Sequence, residues 1–104
     1  LPVTRGMLCS VYMQLETELD PIEILEDLYR DEPFVRVRRR PVDIKSVAGT
    51  NFCDIYATMN GTSLFISSSI DNLLRGASSQ AVVNANIISG FDETLGIPKY
   101  AYVP

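Results

Sequence analysis

The nucleophilic and acid-base side chains set the first limit on the chemistry of this chain. Two cysteines, Cys9 and Cys53, are present, and there is no histidine. A Cys-His pair, a Ser-His-Asp triad and an imidazole metal site therefore cannot be assembled from this chain alone. Both cysteines lie among alternating apolar residues, which favours buried free thiols in a reducing compartment such as the cytoplasm. We expect no catalytic residue and no metal site in the isolated chain.

A helix rich in small residues is predicted near the end of the chain, in the stretch SIDNLLRGASSQAVVNANIISGF, residues 69–91. This stretch predicts a helix over 73–89 but consists largely of Gly, Ala, Ser and Asn. Gly76 alone costs about 1 kcal/mol of helix propensity relative to Ala, so the small residues indicate that a strand or a ligand approaches the backbone closely. The stripe expected to face a sheet is correspondingly weak and comprises Leu74, Ala77, Ala81, Ala85 and Ile88.

A strand and a helix are predicted at the start of the chain. Residues 6–15, GMLCSVYMQL, alternate with the period of two that is typical of a half-buried strand. Asp20 can then cap a helix, and Pro21 suits its first position. The apolar stripe of that helix comprises Ile22, Leu25, Leu28 and Tyr29.

The segment FVRVRRR, residues 34–40, predicts a second, short strand. Val35 and Val37 would face inward. The four arginines indicate a solvated edge, because charged edges discourage unwanted strand pairing.

Residues 51–70 predict a β-hairpin, which is the clearest local signal of the sequence. Asn60-Gly61 is a preferred pair for a two-residue type I′ turn. Tyr56 and Phe65 would then pair on one face, which a helix or another subunit would cover. The predicted register pairs Met59 with Thr62, Ala57 with Leu64, Ile55 with Ile66 and Cys53 with Ser68.

These elements predict an α+β fold, a mixed β-sheet in the order strand, helix, three strands, with helices packed on it. The 104 residues, 46% of them apolar, suffice for one small core, and no run approaches the roughly 20 apolar residues of a membrane span. A net charge of −4 disfavours nucleic acid and anionic membranes as partners. Because the chain starts at Leu1 and shows no signal segment, we expect a piece of a longer protein.

Four segments together resemble the C-terminal part of the N-acetyl-gamma-glutamyl-phosphate reductase family, which is related to aspartate-semialdehyde dehydrogenase and glyceraldehyde-3-phosphate dehydrogenase. They are RGMLCSVYM, DEPFVRV, GTNFCDI and IDNLLRGASSQAVVNANIISGFDETLGI, in the family's order. The last is the most specific, since it is similar to the family's Asp-Asn-Leu-x-Lys-Gly-Ala-Ala-x-Gln-Ala-x-x-Asn stretch. Arg75 stands where the family usually has Lys, and Ser78 where it often has Ala.

The resemblance implies that residues 1–104 are part of a catalytic and dimerisation domain with the fold of the glyceraldehyde-3-phosphate dehydrogenase C-terminal domain. Residues 72–89 would be the helix that returns to a nucleotide-binding domain, which this chain lacks. The implied activity is the NADPH-dependent reduction of N-acetyl-gamma-glutamyl phosphate to a semialdehyde in arginine biosynthesis, through a thioester on a cysteine. Family members carry that cysteine, the histidine and the dinucleotide loop upstream, so the fragment itself is expected to be inactive.

The resemblance also implies partners and site residues. The partners are the acyl phosphate substrate, the protein's own nucleotide-binding domain and further copies in a homo-oligomer. Asn72 would satisfy the nicotinamide carboxamide, and Gly76 and Ala77 would let NADPH approach closely. The alternative is that Asn72 only caps the helix and the small residues only allow tight packing. Arg5 is either a donor to a substrate carboxylate or phosphate, or a surface arginine.

Three other functions remain open from the sequence. The first is the related reductase that acts on a carrier-linked aminoadipyl phosphate in lysine biosynthesis. The second is an interaction module in which the Tyr56 and Phe65 side of the sheet pairs with a second copy. The third is a ligand-binding domain that senses an amino acid.

Overall fold

A four-stranded mixed sheet forms the centre of the computed structural model, which describes residues 3–100. The predicted α+β class and the order strand, helix, three strands, helix are confirmed. No helix in the described part of the chain is long and apolar enough to cross a membrane. The elements are β1 (Met7–Gln14), α1 (Pro21–Leu28), β2 (Val35–Val37), β3 (Cys53–Asn60), β4 (Ser63–Ile70) and α2 (Ser79–Ile88), with a π-helical segment (Leu74–Ser78) leading into α2.

The strands lie in the order β1-β4-β3-β2, with β4 antiparallel to both its neighbours and β2 parallel to β3. Because β2 and β3 are parallel, residues 38–52 must cross a face of the sheet between them. This crossing lies on the side of Asp54, since Arg36 pairs with Asp54 and also donates to the Ser46 carbonyl. Val47, within the crossing, is completely buried.

The hairpin turn lies one residue later than predicted. Asn60 pairs with Ser63, so Gly61 and Thr62 form the loop. Gly61 has a φ of +60°, and none of the described non-glycine residues has a positive φ. That combination belongs to a type II′ turn, whereas a type I′ turn centred on Asn60-Gly61 needs a positive φ at Asn60 too. The predicted pairing of Met59 with Thr62, and the pairings beyond it, are wrong by two positions, which leaves the faces unchanged.

The aromatic pair predicted in the hairpin is replaced by another one. Phe65 lies opposite Thr58 and Tyr12, while Tyr56 lies opposite Ser67. The rings of Tyr12 and Phe65 are 5.1 Å apart at a tilt of 45°, a favourable aromatic geometry. Tyr12 is nevertheless 78% exposed, so no other described element covers this part of the sheet.

Strand β1 is an edge strand, and all eight of its residues are exposed. The predicted burial of one of its sides is therefore wrong within this chain, because no described helix or strand covers it. Cys9 is exposed and Cys53 half-buried, and both are free thiols. Burial of both cysteines was expected, and it is wrong for Cys9.

Helix α1 begins as predicted. The Asp20 side chain accepts a hydrogen bond from the Glu23 N–H, and Pro21 is the first helical residue. Of the predicted stripe, Ile22, Leu25 and Tyr29 are half-buried, but Leu28 is 65% exposed. Leu28 points about 90° away from the mean direction of the other three at the angular spacing of an α-helix, which explains the error.

The single helix predicted over 73–89 is divided into two parts. In the π-helical segment the N–H of Ser78 donates to the carbonyl of Leu73, five residues earlier, at 3.0 Å. Regular α-helical bonding resumes in α2. The wider turn changes the direction in which the following side chains point. Residues that would share one face of a continuous α-helix therefore no longer share it.

The buried face of α2 consists of Ser79, Val83 and Asn86. Asn86 faces inward because its Nδ2 donates to the carbonyls of Glu93 at 3.2 Å and Leu95 at 2.9 Å. Val83 packs in a small core with Phe34 and Ile97. The predicted stripe is wrong at four positions, which are exposed: Ala77, Ala81, Ala85 and Ile88.

Candidate functional site

The buried carboxylate of Asp71 organises the region that contains the predicted site residues. Its side chain is fully buried. Its Oδ1 accepts from the N–H groups of Leu73 at 2.9 Å and Leu74 at 3.0 Å, and its Oδ2 accepts from the Gly49 N–H at 2.8 Å. Asp71, and not Asn72, is therefore the residue that caps the helical segment. Sequence reasoning missed it, although an aspartate just before a helix is a recognised start signal.

The Asp71 carboxyl is held in its ionised form. Burial by itself raises the pKa of Asp71, but the N–H groups of Gly49, Leu74 and Leu73 stabilise the charged form, and the Arg5 guanidinium adds to their effect. The net result is a pKa below the ordinary value. Hydrogen bonds to the carboxylate outweigh desolvation here.

Arg5 lies against this carboxylate. Its Nη1 is 3.5 Å from Asp71 Oδ2, and its side chain is 31% exposed. Arg5 is therefore not a free surface arginine. Its contact with Asp71 is made by Nη1 alone, and a guanidinium carries five N–H donors, so other donors remain available.

Asn72 holds the turn that precedes β1. Its Oδ1 accepts a hydrogen bond from the Gly6 N–H at 2.9 Å, and no hydrogen bond from its Nδ2 is found within residues 3–100. The oxygen is therefore occupied and the two amide donors remain for another group. Gly6 has a φ of +114°, and a Cβ there would lie 1.9 Å from Ile44 Cγ2, so only glycine fits.

The two small residues of the predicted cofactor site have different surroundings. A Cβ at Gly76 would lie 3.3 Å from Ile70 Cδ1, at the end of β4. This contact favours the tight-packing explanation for Gly76. Ala77 is exposed, so its surface is open to a group from outside the described chain.

A cleft of about 270 Å³ opens beside Arg5. Asn51, 3% exposed, donates from Nδ2 to the Pro98 carbonyl at 3.0 Å, while its Oδ1 is buried without a hydrogen-bond partner. Sequence reasoning did not find this cleft, because its residues come from distant parts of the chain and share no motif. Its lining comprises Arg5, Gly49, Asn51, Leu74, Ser79 and Pro98.

A second charged cluster lies at the β2 edge. Asp54, 1% exposed, accepts from Arg36 Nε at 2.6 Å and Nη2 at 3.0 Å, and Arg38 Nε is 3.3 Å away. The Arg36 guanidinium also lies 4.2 Å from the centre of the Phe52 ring. The prediction of a solvated arginine edge is therefore wrong for Arg36 and Arg38. Their pairing with a buried carboxylate is a structural contact that joins β2 to β3.

The half-buried thiol of Cys53 is not an activated nucleophile. Burial raises the pKa of the Cys53 thiol, and the nearby Arg75 only partly opposes this effect. A thiol with a raised pKa is a poor nucleophile. Residues 3–100 also contain no cluster of three or more His, Cys, Asp or Glu side chains that could hold a metal ion.

Comparison with known proteins agrees with the resemblance seen in the sequence. The chain is 64% identical over 104 residues to the N-acetyl-gamma-glutamyl-phosphate reductase of Sulfurimonas denitrificans, and 57% over 104 residues to that of Sulfurovum sp.. It is 54% identical over 103 residues to the reductase of Wolinella succinogenes. The alignments cover 99% to 100% of this chain but only 31% of each relative.

The chain therefore spans about a third of the length of these curated relatives. Residues 1–72 match the family model described as "Semialdehyde dehydrogenase, dimerisation domain". That match covers β1 to β4 and ends at Asn72. The chain thus belongs to the semialdehyde dehydrogenase family and contains its dimerisation domain.

Proposed function

We propose that the whole protein containing this chain is an NADPH-dependent reductase that converts N-acetyl-gamma-glutamyl phosphate to N-acetylglutamate semialdehyde and phosphate in arginine biosynthesis. The observation that carries this proposal is the 64% identity, over the full length of the chain, to a reductase of that name. The family resemblance implies that the catalytic cysteine and histidine lie upstream of this segment, so the chain by itself is proposed to be inactive.

Asn72 is the residue proposed to contact the nicotinamide. NADPH supplies a hydride when bound, and most of its binding site is proposed to lie in a nucleotide-binding domain outside this chain. Asn72 fits a carboxamide oxygen as a donor only, because its own oxygen already accepts from Gly6. That bond also fixes the direction in which the two N–H donors point. Residues 72–89 are proposed to return to the nucleotide-binding domain, and exposed Ala77 leaves room for the approach of NADPH.

Arg5 is proposed to bind the substrate through its carboxylate or phosphate. Its position supports this role, since the guanidinium lines a cleft and is partly exposed. An arginine held on one side by a carboxylate keeps its remaining donors available for an oxyanion.

The dimerisation domain implies a homo-oligomer, and we propose that the sheet side of Tyr12 and Phe65 lies in its interface. The aromatic pair borders a shallow apolar depression at the end of the hairpin. Exposed aromatic side chains are enriched in protein interfaces. We further propose a cytoplasmic location, consistent with free thiols at Cys9 and Cys53.

An assay of the full-length protein tests the proposed activity. With N-acetyl-gamma-glutamyl phosphate, it should oxidise NADPH and release one phosphate for each NADPH consumed. The 104-residue chain alone should show no turnover above the buffer rate. A full-length protein that reduces only the carrier-linked aminoadipyl phosphate would contradict the proposed substrate, and turnover by the isolated chain would contradict its proposed inactivity.

A further inference from the structure

The dipeptide Asp71-Asn72 holds the dipeptide Arg5-Gly6 through two side-chain contacts. Asp71 Oδ2 lies 3.5 Å from Arg5 Nη1, and Asn72 Oδ1 accepts from the Gly6 N–H at 2.9 Å. The partners are 66 residues apart in sequence. The start of the helical segment therefore fixes both the backbone and the side chain of the turn before β1.

The two carboxylate oxygens of Asp71 have separate partners. Within residues 3–100, Oδ1 accepts from the N–H groups of Leu73 and Leu74, at the start of the helical segment. Oδ2 accepts from Gly49 and contacts Arg5. A substitution that changes one oxygen can therefore separate capping of the helix from orientation of Arg5.

The positive charge of Arg5 is only partly neutralised by Asp71, so its guanidinium can attract a second anion. Three backbone N–H groups already stabilise the Asp71 carboxylate, which disperses its negative charge into the backbone. Arg5 contributes one long contact from Nη1, and no other acceptor for its guanidinium is found within residues 3–100. The remaining guanidinium donors can form a two-point contact with a carboxylate or phosphate.

The cleft beside Arg5 suits the rest of such a ligand. Leu74 and Pro98 provide apolar wall, and the side chain of Ser79, which is 8% exposed, lies at the same cleft. Its volume of about 270 Å³ lies just below the range of about 300 to 1,000 Å³ that is typical of ligand pockets, so it suits a small ligand.

We propose that Asp71 is a positioning residue, which orients Arg5 to bind an oxyanion of the acyl phosphate substrate at this cleft. The proposal rests on the proposed reductase function. Asp71 itself does not touch the substrate, because its side chain is fully buried.

A double-mutant cycle in the full-length protein tests the coupling. Asp71→Asn retains an oxygen for Leu73 and Leu74 but presents an NH2 group to Gly49 and Arg5. We expect Arg5→Ala to raise the KM for the acyl phosphate about ten-fold or more, and Asp71→Asn to raise it in the same direction, with the KM for NADPH unchanged. The double variant should have the same KM as Arg5→Ala alone, because Asp71 acts through Arg5.

Two further variants separate positioning from stability. Asn86→Ala removes buried hydrogen bonds elsewhere, to Glu93 and Leu95, so it should lower the melting temperature without changing the KM for the acyl phosphate. Arg5→Lys leaves Asp71 intact and keeps the charge, yet should raise that KM nearly as much as Arg5→Ala, since a lysine loses the fork geometry. This variant tests the two-point contact of Arg5 with the oxyanion, on which the inference depends, even if Asp71→Asn does not fold.

Independent, multiplicative effects of Asp71→Asn and Arg5→Ala on KM would overturn the inference, as would a normal KM in Arg5→Lys. An unchanged KM in Arg5→Ala would also overturn it while leaving the reductase function intact. Failure of the wild-type protein to reduce the acyl phosphate would instead overturn the proposed function. The wild-type and variant measurements therefore distinguish the two failures.

Discussion

At the scale of single residues, the polar side chains near the end of β4 each have a defined partner. Asp71 caps the helical segment and contacts Arg5, and Asn72 accepts from Gly6. The sequence predicted Asn72 and Arg5 as site residues, and the alternative role given to Asn72, the helix cap, belongs to its neighbour Asp71. The error has a physical cause, since Asp and Asn are equally good caps and only the direction of the chain decides which one is used.

Asn72→Asp tests the proposed nicotinamide contact. The variant keeps an oxygen for the Gly6 N–H but replaces the free donors with a negatively charged oxygen. In the full-length protein we expect NADPH binding or hydride transfer to weaken by about 1 to 3 kcal/mol. Steady-state kinetics with varied NADPH measure this, with the melting temperature as a check on folding. Unchanged kinetics in the folded variant would show that Asn72 does not contact the nicotinamide and that its role is the hydrogen bond to Gly6.

At the scale of elements, the sheet and the terminal helix differ in how firmly they are held. Strand β4 is paired along its whole length with β1 and β3, and β3 is paired along its whole length with β4 and over its first three residues with β2. Helix α2 buries only three residues, Ser79, Val83 and Asn86, and its Ile87 and Ile88 are exposed. The small residues of this helix therefore contribute little to its attachment, and it should open more readily than the sheet.

Amide hydrogen exchange on the isolated chain measures this difference. We expect fast exchange across residues 81–88 and slow exchange at Ile55 and Ile66, which lie in the two central strands. Equal protection in both regions would show that α2 is part of the stable core. A Val83→Ala variant provides a control, because it removes the helix's contact with Phe34 and Ile97 and should accelerate exchange in α2 before it affects the strands.

At the scale of the whole molecule, Asp71 connects three distant parts of the chain. It binds Gly49 in the β2–β3 crossing, Arg5 before β1, and the helical segment after β4. The pKa of Asp71 lies below its ordinary value. Its stabilising contribution is therefore complete above the ordinary value of about 3.9 and is lost as the pH falls through the lower pKa of the folded state.

Acid unfolding of the chain tests this contribution. The free energy of unfolding should decrease as the pH falls from about 5 towards 3 and below, and Asp71→Asn should make this pH dependence shallower. Urea titrations at a series of pH values measure the slope. Asn86→Ala is the matched control, since it lowers stability without removing a carboxyl and should leave the slope unchanged. Equal slopes for wild type and Asp71→Asn would contradict a lowered pKa at Asp71.

The sequence by itself determined the elements that depend on local interactions. The Asp20-Pro21 start of α1, the presence of a hairpin and the α+β order all follow from capping, turn and alternation signals between residues close in the chain, whereas the position and type of the hairpin turn did not. The specific stretch around Asn72 was also recognisable, because its residues are contiguous.

Only the tertiary structure decided the contacts between distant residues. The Asp71–Arg5 pair joins residues 66 positions apart, and the cleft at Asn51 combines four separate segments. The π-helical segment shifted the buried face of α2, and the crossing brought Arg36 to Asp54, which changed a solvated edge into an ion pair. Periodicity reports which residues share a face of one element, but it carries no information on which other element covers that face or which distant side chain pairs with it.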